Sequence, residues 1–371
     1  CMNLKAVPLL LSPQTNFDLV QSLIDEYQPN YIIAPDRICE NFQGQNIKEF
    51  GNYKVIRFND YAHKLYEDLS LLLPTSGSTG SPKLVRHSYK NLESSAQSIA
   101  NFFELDATEK AFSFLPMYYT MGLSVIHSHL KVGATVVLVK SAMTDAVFWK
   151  LLKESKATSL TGVPYSFEIL KKLRFFRMKL PFLKIITQGG GKMSAEIYND
   201  CIEFANLNDI KFYPTYGQTE GTARMAFLEP SMVQNKKGSI GKAIPNGKLS
   251  ILMEEGAESF EGEAEGEMIF RGPNVTLGYA NRLADLSLGD ERKGVLLTGD
   301  IVKRDSDGYY YIVGRKSRFL KLFGIRVALD EIESLITAAF NMECVCGGND
   351  QKMIVLVTKQ NTEKEIIDLI L

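Results

Sequence analysis

Along the first two-thirds of the chain, short apolar runs alternate with segments in which apolar residues recur every three or four positions. The apolar runs are AVPLLLS (6–12), YIIA (31–34), ATVVLVK (134–140), ATSLTGV (157–163) and LKIITQGGG (183–191). The helical pattern is found in FDLVQSLIDEYQ (17–28) and FWKLLKES (148–155). Strands separated by helix-length segments predict doubly wound α/β architecture, with parallel sheets covered by helices on both faces.

From about residue 237 the pattern changes to short strands joined by close turns. The strand patterns are GKLSILM, GEMIFRG, GVLLTGDIV and GYYYIVGR, and their glycine and Asp-Gly turns predict antiparallel, barrel-like β structure. A helical segment, DEIESLITAAF (330–340), a strand, KMIVLVT, and a capped apolar stripe, TEKEIIDLIL, then predict a small α+β domain. We therefore expect three parts: α/β subdomains over 1–236, a β-rich subdomain over 237–316 and a partial C-terminal domain over 317–371.

Length and charge narrow the class of protein. A chain of 371 residues exceeds the size of a single hydrophobic core, and its formal net charge of −1 gives no reason to expect nucleic acid or an anionic membrane as a partner. We expect no membrane span, and an odd, scattered set of five cysteines indicates a reducing compartment, so the expected location is the cytoplasm. Because the chain opens directly into an apolar run, we expect it to be a fragment of a longer protein.

The segment PTSGSTGSPK (74–83) has the composition of a phosphate-binding loop. It does not follow the GxxxxGK[ST] spacing of P-loop NTPases, because Pro82 precedes Lys83 and Leu84 stands where a magnesium-binding hydroxyl would be required. Its small residues could fold around an oxyanion, with the lysine as a mobile charge. A serine- and glycine-rich surface loop explains the segment equally well.

Three further segments carry groups suited to nucleotide binding. In TYGQTE (215–220) the glutamate could hold Mg²⁺ beside phosphates, and in LLTGD (296–300) the aspartate could accept hydrogen bonds from ribose hydroxyls. In VGRKSRFLKLFGIRV (313–327) the first arginine is a planar donor for phosphate or ribose oxygens. Taken singly, each is explained as well by a turn carboxylate or a surface arginine.

The order of the motifs is more specific than any one of them. The series PTSGSTGSPK, LPMYYTMGL, TQGGGKM, TYGQTE, GEMIFRGPNVTLGY, LTGD and GRKSRFLKLFGIRV resembles, from end to end, that of the adenylate-forming (AMP-binding) superfamily. This superfamily contains acyl-CoA synthetases, peptide-synthetase adenylation domains and luciferases. The resemblance implies ATP and Mg²⁺ as cofactors, and a reaction in which a small-molecule carboxylic acid attacks the α-phosphate to give acyl-AMP and pyrophosphate. The acyl group then passes to CoA or to a phosphopantetheine carrier.

The resemblance also implies roles for individual residues. Glu220 corresponds to the magnesium ligand and Thr219 to an α-phosphate contact, and with Lys83 they form the expected catalytic set. Asp300 would bind the ribose diol, and Arg315 would contact ribose or phosphate oxygens. The remaining nucleotide-binding positions are the β- and γ-phosphate loop, Thr75, Ser76, Gly77, Ser78, Thr79 and Gly80, and the adenine site, Tyr216, Gly217, Gly189, Gly190 and Gly191.

The acid pocket and the mobile domain are expected by the same resemblance. Tyr119 occupies the aromatic position that lines the acyl pocket, and Gly162, Val163 and Pro164 are expected to approach it. Ser317 stands at the domain hinge, where the family usually has Asp or Lys, and Gly324 falls in the pantetheine loop. The family's catalytic lysine has no counterpart, since Lys359 and Lys364 do not match its motif.

Three functions remain open at this stage. The leading interpretation is an AMP-forming acyl-CoA synthetase, because PMYYTMGL lacks the aspartate that amino-acid-activating domains place nearby. The second is an enzyme that loads an acyl, aryl or amino acid onto a carrier protein. The third is a nucleotide-binding homologue without catalytic activity, suggested by Ser317 and the unmatched lysine. The acid, the acceptor and the oligomeric state are not predicted.

Overall fold

A computed structural model of the chain describes residues 5–39, 42, 44–74, 83–316, 318–322, 325–349, 352–358 and 366–367. Predicted loop positions 75–80, the predicted hinge Ser317, and Gly324, Lys359 and Lys364 lie outside the described residues. The helices within them are α1 (Phe17–Tyr27), α2 (Asp36–Cys39), α3 (Tyr89–Phe102), α4 (Thr120–Lys131), α5 (Ala146–Glu154), α6 (Pro164–Lys172), α7 (Ala195–Asn208) and α8 (Leu329–Phe340). Among them, none is long and apolar enough to cross a bilayer.

The strands form several separate sheets. The first twelve are β1 (Tyr31–Pro35), β2 (Gln45–Phe50), β3 (Tyr53–Arg57), β4 (Leu69–Pro74), β5 (Leu84–Ser88), β6 (Lys110–Ser113), β7 (Thr135–Leu138), β8 (Ser159–Gly162), β9 (Ile185–Gln188), β10 (Lys211–Tyr216), β11 (Ala226–Phe227) and β12 (Lys242–Ala243). The next ten are β13 (Lys248–Leu252), β14 (Glu258–Ser259), β15 (Ala264–Arg271), β16 (Gly278–Ala280), β17 (Val295–Arg304), β18 (Tyr310–Arg315), β19 (Phe319–Leu322), β20 (Ile325–Ala328), β21 (Cys344–Asn349) and β22 (Lys352–Val357).

The largest sheet has seven strands in the order β12-β11-β10-β9-β8-β6-β7. The five strands from β10 to β7 are parallel, and β11 and β12 extend the sheet in antiparallel fashion. Helices separate the parallel strands along the chain, as parallel pairing requires. The prediction of a parallel sheet is confirmed for this part of the chain.

Both faces of the seven-stranded sheet are buried at its central strands β9 and β10. On β9, Ile186 packs into a cluster with α5, α6 and α7, whereas its neighbour Ile185 packs into a second cluster with α3 and strands β13, β15 and β17. Phe212 and Tyr213 divide between the same two clusters on β10. Successive side chains of a strand point to opposite faces of the sheet. Because both faces are buried here, apolar residues occupy successive positions of these strands instead of every second one.

The first part of the chain departs from the prediction of parallel sheets. AVPLLLS forms only an isolated parallel bridge between Leu9 and Leu72, and Pro8 within it has no N–H to donate. YIIA forms β1, but β1 pairs antiparallel with β3 in a three-stranded sheet of order β1-β3-β2. Strands β4, β5 and β16 form another antiparallel sheet. Hydrophobic periodicity predicts that a strand forms, but it does not fix the direction of its partner.

The β-rich part is an open sheet rather than a barrel. Its order is β14-β13-β15-β17-β18, all antiparallel, with the two-residue β14 at one edge and β18 at the other. The barrel-like prediction is wrong because this sheet buries one face against the second core cluster instead of closing on itself. The strand pattern from residue 237 predicted the strands themselves correctly.

The C-terminal part combines α8 with the hairpins β19–β20 and β21–β22. Its buried apolar side chains form a separate cluster that includes Leu320, Leu329, Ile336 and Cys346. The predicted helix over 330–340 is confirmed as α8, which begins at Leu329. The boundaries at 236 and 316 remain predictions.

Candidate active site

Three loops follow the carboxyl ends of neighbouring parallel strands. Strand β8 ends at Gly162, β9 at Gln188 and β10 at Tyr216, and Gly162 and Pro214 both stand opposite Gln188. In open α/β sheets, ligands bind at this edge, outside the carboxyl ends of the strands. The loops at 163–164, 189–191 and 217–224 therefore define the candidate site.

The triple-glycine loop packs against the loop that follows β8. The amide of Gly189 donates to the carbonyl oxygen of Gly162 at 3.2 Å, and Gly190 has a φ of +80°. A Cβ atom placed on Gly190 would lie 3.3 Å from Val163 Cγ1, and one placed on Gly191 would lie 3.3 Å from Pro164 Cγ. The structure thus brings together two groups that the sequence assigned separately, to adenine and to the acid.

Asp300 is the centre of a hydrogen-bonded network. Its side chain, 1% exposed, accepts hydrogen bonds from the Tyr216 hydroxyl and from Gln218 Nε2 at 2.8 Å. Arg315 Nε lies 2.7 Å from the other carboxylate oxygen. Asp300 and Arg315 face each other across β17 and β18, so the strand register places the ion pair. Three of the predicted nucleotide-binding residues are therefore in direct contact.

The network has a buried side and an open side. Burial first, and the Asp300 carboxylate second, raise the pKa of the Tyr216 hydroxyl well above its usual value, so this group stays a donor. The guanidinium of Arg315, by contrast, belongs to a side chain that is 56% exposed. A carboxylate held by buried and half-buried donors, with an exposed cationic donor beside it, can accept hydrogen bonds from vicinal hydroxyls of a ligand.

A second cluster surrounds Glu220. Tyr279 donates its hydroxyl proton to Glu220 Oε1 at 2.7 Å, and Lys83 Nζ lies 3.6 Å from the centre of the Tyr279 ring. Arg292 stacks on the same ring, with Cζ 4.5 Å from its centre, and donates to Thr276. Burial, and then the Glu220 charge, raise the pKa of Tyr279 to about 12. The predicted catalytic residues Lys83 and Glu220 are therefore linked through one aromatic ring.

Helix α4 borders the site beside Thr219. The hydroxyls of Thr120 and Thr219 are 3.1 Å apart, so the first turn of α4 contacts the loop after β10. Tyr119, the predicted pocket residue, directly precedes this helix and is 56% exposed, with its ring 4.9 Å from that of Tyr118. Tyr119 is thus adjacent in sequence to Thr120, which contacts the site, but it belongs to neither of the two hydrogen-bonded clusters.

Gln218, Tyr279 and Arg292 contribute to the two clusters and were not singled out from the sequence. Tyr279 closes the motif GEMIFRGPNVTLGY, and Gln218 lies inside TYGQTE, so both had a signal in the quoted motifs. Arg292 lies in the turn between β16 and β17 with no motif around it. Gly217 is required by a close approach, since a Cβ atom there would overlap the carbonyl oxygen of Ala223.

The residues present fit one divalent cation bound with a nucleotide. Nucleotide-bound Mg²⁺ uses one or two protein carboxylates and fills its other positions with phosphate oxygens and water. Glu220 supplies one carboxylate, and Tyr279 orients it through a single oxygen. Among the described residues, no group of three or more His, Cys, Asp or Glu side chains could hold a metal by itself.

Comparison with known proteins gives the class. The sequence profile of the AMP-binding enzyme family matches residues 7–280. The chain therefore belongs to this family, the adenylate-forming superfamily to which its motifs pointed.

Similar proteins include several acid–CoA ligases. The chain is 31% identical over 268 residues to an indoleacetate–CoA ligase from Aromatoleum aromaticum, a match that covers 72% of this chain and 51% of the relative. It is 28% identical over 313 residues to a 2-succinylbenzoate–CoA ligase from Geobacillus sp., covering 82% of this chain and 61% of the relative. The chain thus spans about half to three-fifths of the length of these curated relatives.

Solved structures agree on the fold. O-succinylbenzoate Coenzyme A Synthetase from Bacillus subtilis, in complex with AMP, matches with a TM-score of 0.67 and 24% identity, over 82% of this chain and 63% of that one. The same enzyme in complex with its acyl-adenylate intermediate matches with a TM-score of 0.72 and 22% identity, over 98% of this chain and 76% of that one. At this level of identity the comparison establishes the architecture.

Proposed function

We propose that this chain forms the nucleotide- and acid-binding part of an AMP-forming acid–CoA ligase. The carrying observation is the Asp300 network, in which a buried carboxylate, Tyr216, Gln218 and Arg315 meet at the edge of the sheet where ligands bind. Acid–CoA ligases among the similar proteins support the reaction class. The acid would react with ATP to give acyl-AMP and pyrophosphate, and the acyl group would pass to the CoA thiol.

In this proposal Asp300 and Arg315 bind the ribose, and the loop after β9 lies along the adenine. Thr219 and Lys83 contact the phosphates, with the predicted loop at 75–80 completing their site. Preorganised donors and charges of this kind stabilise the negative charge that develops on a departing pyrophosphate. Tyr279 positions both the Glu220 carboxylate and the Lys83 ammonium, so the two groups act from a common support.

Glu220 would hold Mg²⁺ together with the nucleotide. When bound, the cation neutralises charge on the phosphate oxygens. The chain's own contribution is the orientation of the carboxylate by Tyr279. Arg292 donates to Thr276 and, at 3.4 Å, to the backbone oxygen of Glu220.

The test is acid-dependent exchange of pyrophosphate into ATP by the full-length protein, across a panel of carboxylic acids. Glu220→Gln should lower the exchange rate by about 10²-fold, the scale for loss of one preorganised electrostatic group. Glu203→Gln, an exposed position on α7, is the matched control and should leave the rate unchanged. A Glu220→Gln enzyme with the wild-type rate at saturating Mg·ATP would remove the assigned role of this carboxylate.

The acceptor is tested separately. Once an acid is identified, thioester formation is measured with CoA and with a phosphopantetheine carrier protein at equal thiol concentration. Preference for the carrier would replace the CoA ligase proposal by a carrier-loading enzyme. Nucleotide binding without exchange for any acid would favour the homologue without catalytic activity.

A further inference from the structure

Among the arginine side chains that the structure describes, three are almost completely buried, and they differ in their hydrogen bonds. Arg86 donates to the Tyr279 carbonyl oxygen at 3.0 Å and pairs with Glu291, and Arg304 donates to the Gly262 carbonyl oxygen at 2.6 Å and to Ser259. Arg224, 0% exposed, donates from Nη1 to Ser124 Oγ at 2.6 Å. Its Nε and Nη2 atoms have no hydrogen-bond partner among the described residues.

The charge of Arg224 is also uncompensated. No described carboxylate forms an ion pair with it; the buried Glu109 pairs with Lys184 at 2.6 Å through one oxygen, and its Oε2 has no hydrogen-bond partner among the described residues. Burial lowers the pKa of Arg224 to about 9, which leaves the guanidinium charged at neutral pH. The Phe103 ring lies 5.3 Å from Cζ, but a ring face cannot satisfy both free N–H groups. Buried charges are normally paired and hydrogen-bonded, so a bound anion is the partner that would satisfy this guanidinium.

A small cavity adjoins the guanidinium. It has a volume of about 10 Å³, and its polar wall comes from α4, β8 and β9, through Ser128, His129, Ser159, Thr161 and Thr187. Burial lowers the pKa of His129, so its ring is neutral, and Nε2 bonds with Ser159 Oγ at 3.1 Å. The volume is that of a single water-sized atom. The rest of the lining is apolar, from Phe103, Leu105, Val125 and Ile185, so the space accommodates one oxygen atom at its polar wall.

The cavity is placed to serve the proposed acid site. Thr120, at the start of α4, contacts Thr219, and Ser124, which bonds to Arg224, is one turn or about 6 Å further along the helix. Between them on the helix, Met121 lies against Gly189, where a Cβ atom would overlap its Cε. Methionine is unbranched and flexible, and the proposed binding of an acid between Thr219 and Arg224 requires this side chain to move.

We propose that Arg224 binds an anionic oxygen group and that, given the proposed ligase function, this group is the second, non-reacting carboxylate of a dicarboxylic acid substrate. One carboxylate would react beside Thr219, while one oxygen of the other occupies the cavity and accepts hydrogen bonds from the free N–H groups of the guanidinium. A small free carboxylate such as formate offers the same oxygen chemistry, and the experiment separates the two sources.

The first arm measures pyrophosphate exchange by the full-length protein with straight-chain dicarboxylic acids from succinate to suberate, each against the monocarboxylic acid of equal length. The wild type should prefer the dicarboxylic member of at least one pair by about 10²-fold in kcat/KM, since an unpaired buried charge strongly disfavours the neutral analogue. Arg224→Met should abolish this preference. Arg224→Lys, which keeps the charge but lacks the planar fork, should retain part of it.

The second arm measures Tm while sodium formate replaces sodium gluconate at constant ionic strength. Formate should raise the Tm of the wild type but not that of Arg224→Met. The matched control is Arg304→Met, which removes a buried arginine with its hydrogen bonds satisfied. This control should lower Tm without changing acid preference, whereas Arg224→Met should leave Tm unchanged or raise it, because an uncompensated charge is removed.

Loss of the dicarboxylate preference in Arg224→Met supports the substrate carboxylate as the ligand. A formate-dependent Tm shift confined to proteins with Arg224, without any preference among acids, supports the anion site with a free anion as its ligand. If Arg224→Met matches the wild type in both acid preference and formate response, the proposal is overturned. If no acid supports exchange, the ligase proposal fails, while the formate arm still decides the role of Arg224.

Discussion

Replacing Asp300 by asparagine removes one negative charge from a nearly buried site without a large change of shape. The wild-type carboxylate accepts hydrogen bonds from Tyr216 and Gln218 on one oxygen and pairs with Arg315 on the other. Asparagine has a single acceptor oxygen, and its amide group can only donate. At least one donor that now meets a carboxylate oxygen therefore loses its partner or faces another donor.

The size of the effect follows from burial. A hydrogen bond to a charged group contributes about 1.5–3 kcal/mol, and one such bond is lost inside the network. The Arg315 pair adds only about 0–1 kcal/mol, because the arginine is 56% exposed and solvent screens the interaction. We expect the free energy of unfolding to fall by about 1.5–4 kcal/mol. Because Asp300 is also the proposed ribose ligand, the Kd for ATP should rise by about tenfold or more.

The assay is urea unfolding followed by circular dichroism, together with calorimetric titration of ATP. Asp307→Asn is the matched control: it lies in the turn between the same two strands, is 66% exposed and pairs with Lys236, so its effect on unfolding should stay within about 0.5 kcal/mol. Equal stability and equal ATP affinity of Asp300→Asn and Asp307→Asn would refute the account of the network. If Asp300→Asn loses stability but binds ATP with unchanged affinity, the network stabilises the fold but has no role in ATP binding.

Two further predictions concern the half-buried Tyr279 and the buried His87. Tyr279→Phe keeps the aromatic ring beside Lys83 but loses the hydrogen bond to Glu220. The kcat for pyrophosphate exchange should therefore fall about 10- to 100-fold, while the KM of the acid stays unchanged. The control Tyr165→Phe, at an exposed position, should change neither kcat nor KM. Burial lowers the pKa of His87 to about 3, whereas the unfolded chain takes up this proton near pH 6.5. Unfolding free energy should therefore be fully retained above about pH 6.5 and decline as pH falls towards 3, by up to about 1.4 kcal/mol per pH unit, and His87→Gln should flatten this slope in urea titrations.

Sequence patterns predicted two of the strands whose ends build the site, and the reason is geometric. Gly162 and Gln188 lie at the ends of apolar runs that a helix-length segment separates, and parallel pairing brings both ends to the same edge as Tyr216 of β10. Strand direction near the start of the chain was not predictable in this way, because the apolar pattern of β1 is the same whether its partner strand runs parallel or antiparallel. Whether the β-rich sheet stays open or closes into a barrel depends on whether its two edge strands pair with each other, which the strand pattern does not show either.

The side chains that contact the predicted site residues could not be predicted from the sequence, for a different reason. Tyr216 and Asp300 are 84 positions apart, and Glu220 and Tyr279 are 59 positions apart, so their contacts depend on the packing of separate sheets. The motifs could assign each residue to a nucleotide group, but not to a neighbouring side chain. Arg224 had a visible signal, a charge within the otherwise apolar ARMAFL segment, yet its meaning depends on the absence of a described ion-pair partner.

The loop between β10 and β11 joins the two sides of the proposed site within nine residues. Its strands are paired at Tyr216 and Ala226, and the amide of Met225 donates to the Tyr216 carbonyl oxygen at 2.8 Å, so the loop is closed tightly at its base. Thr222 and Ala223 adopt φ angles of +50° and +79°, conformations that are unfavourable for residues other than glycine. This turn sends Arg224 into the interior while Glu220 remains beside Tyr279. The same short loop therefore holds Glu220 at the proposed nucleotide site and Arg224 at the proposed anion cavity.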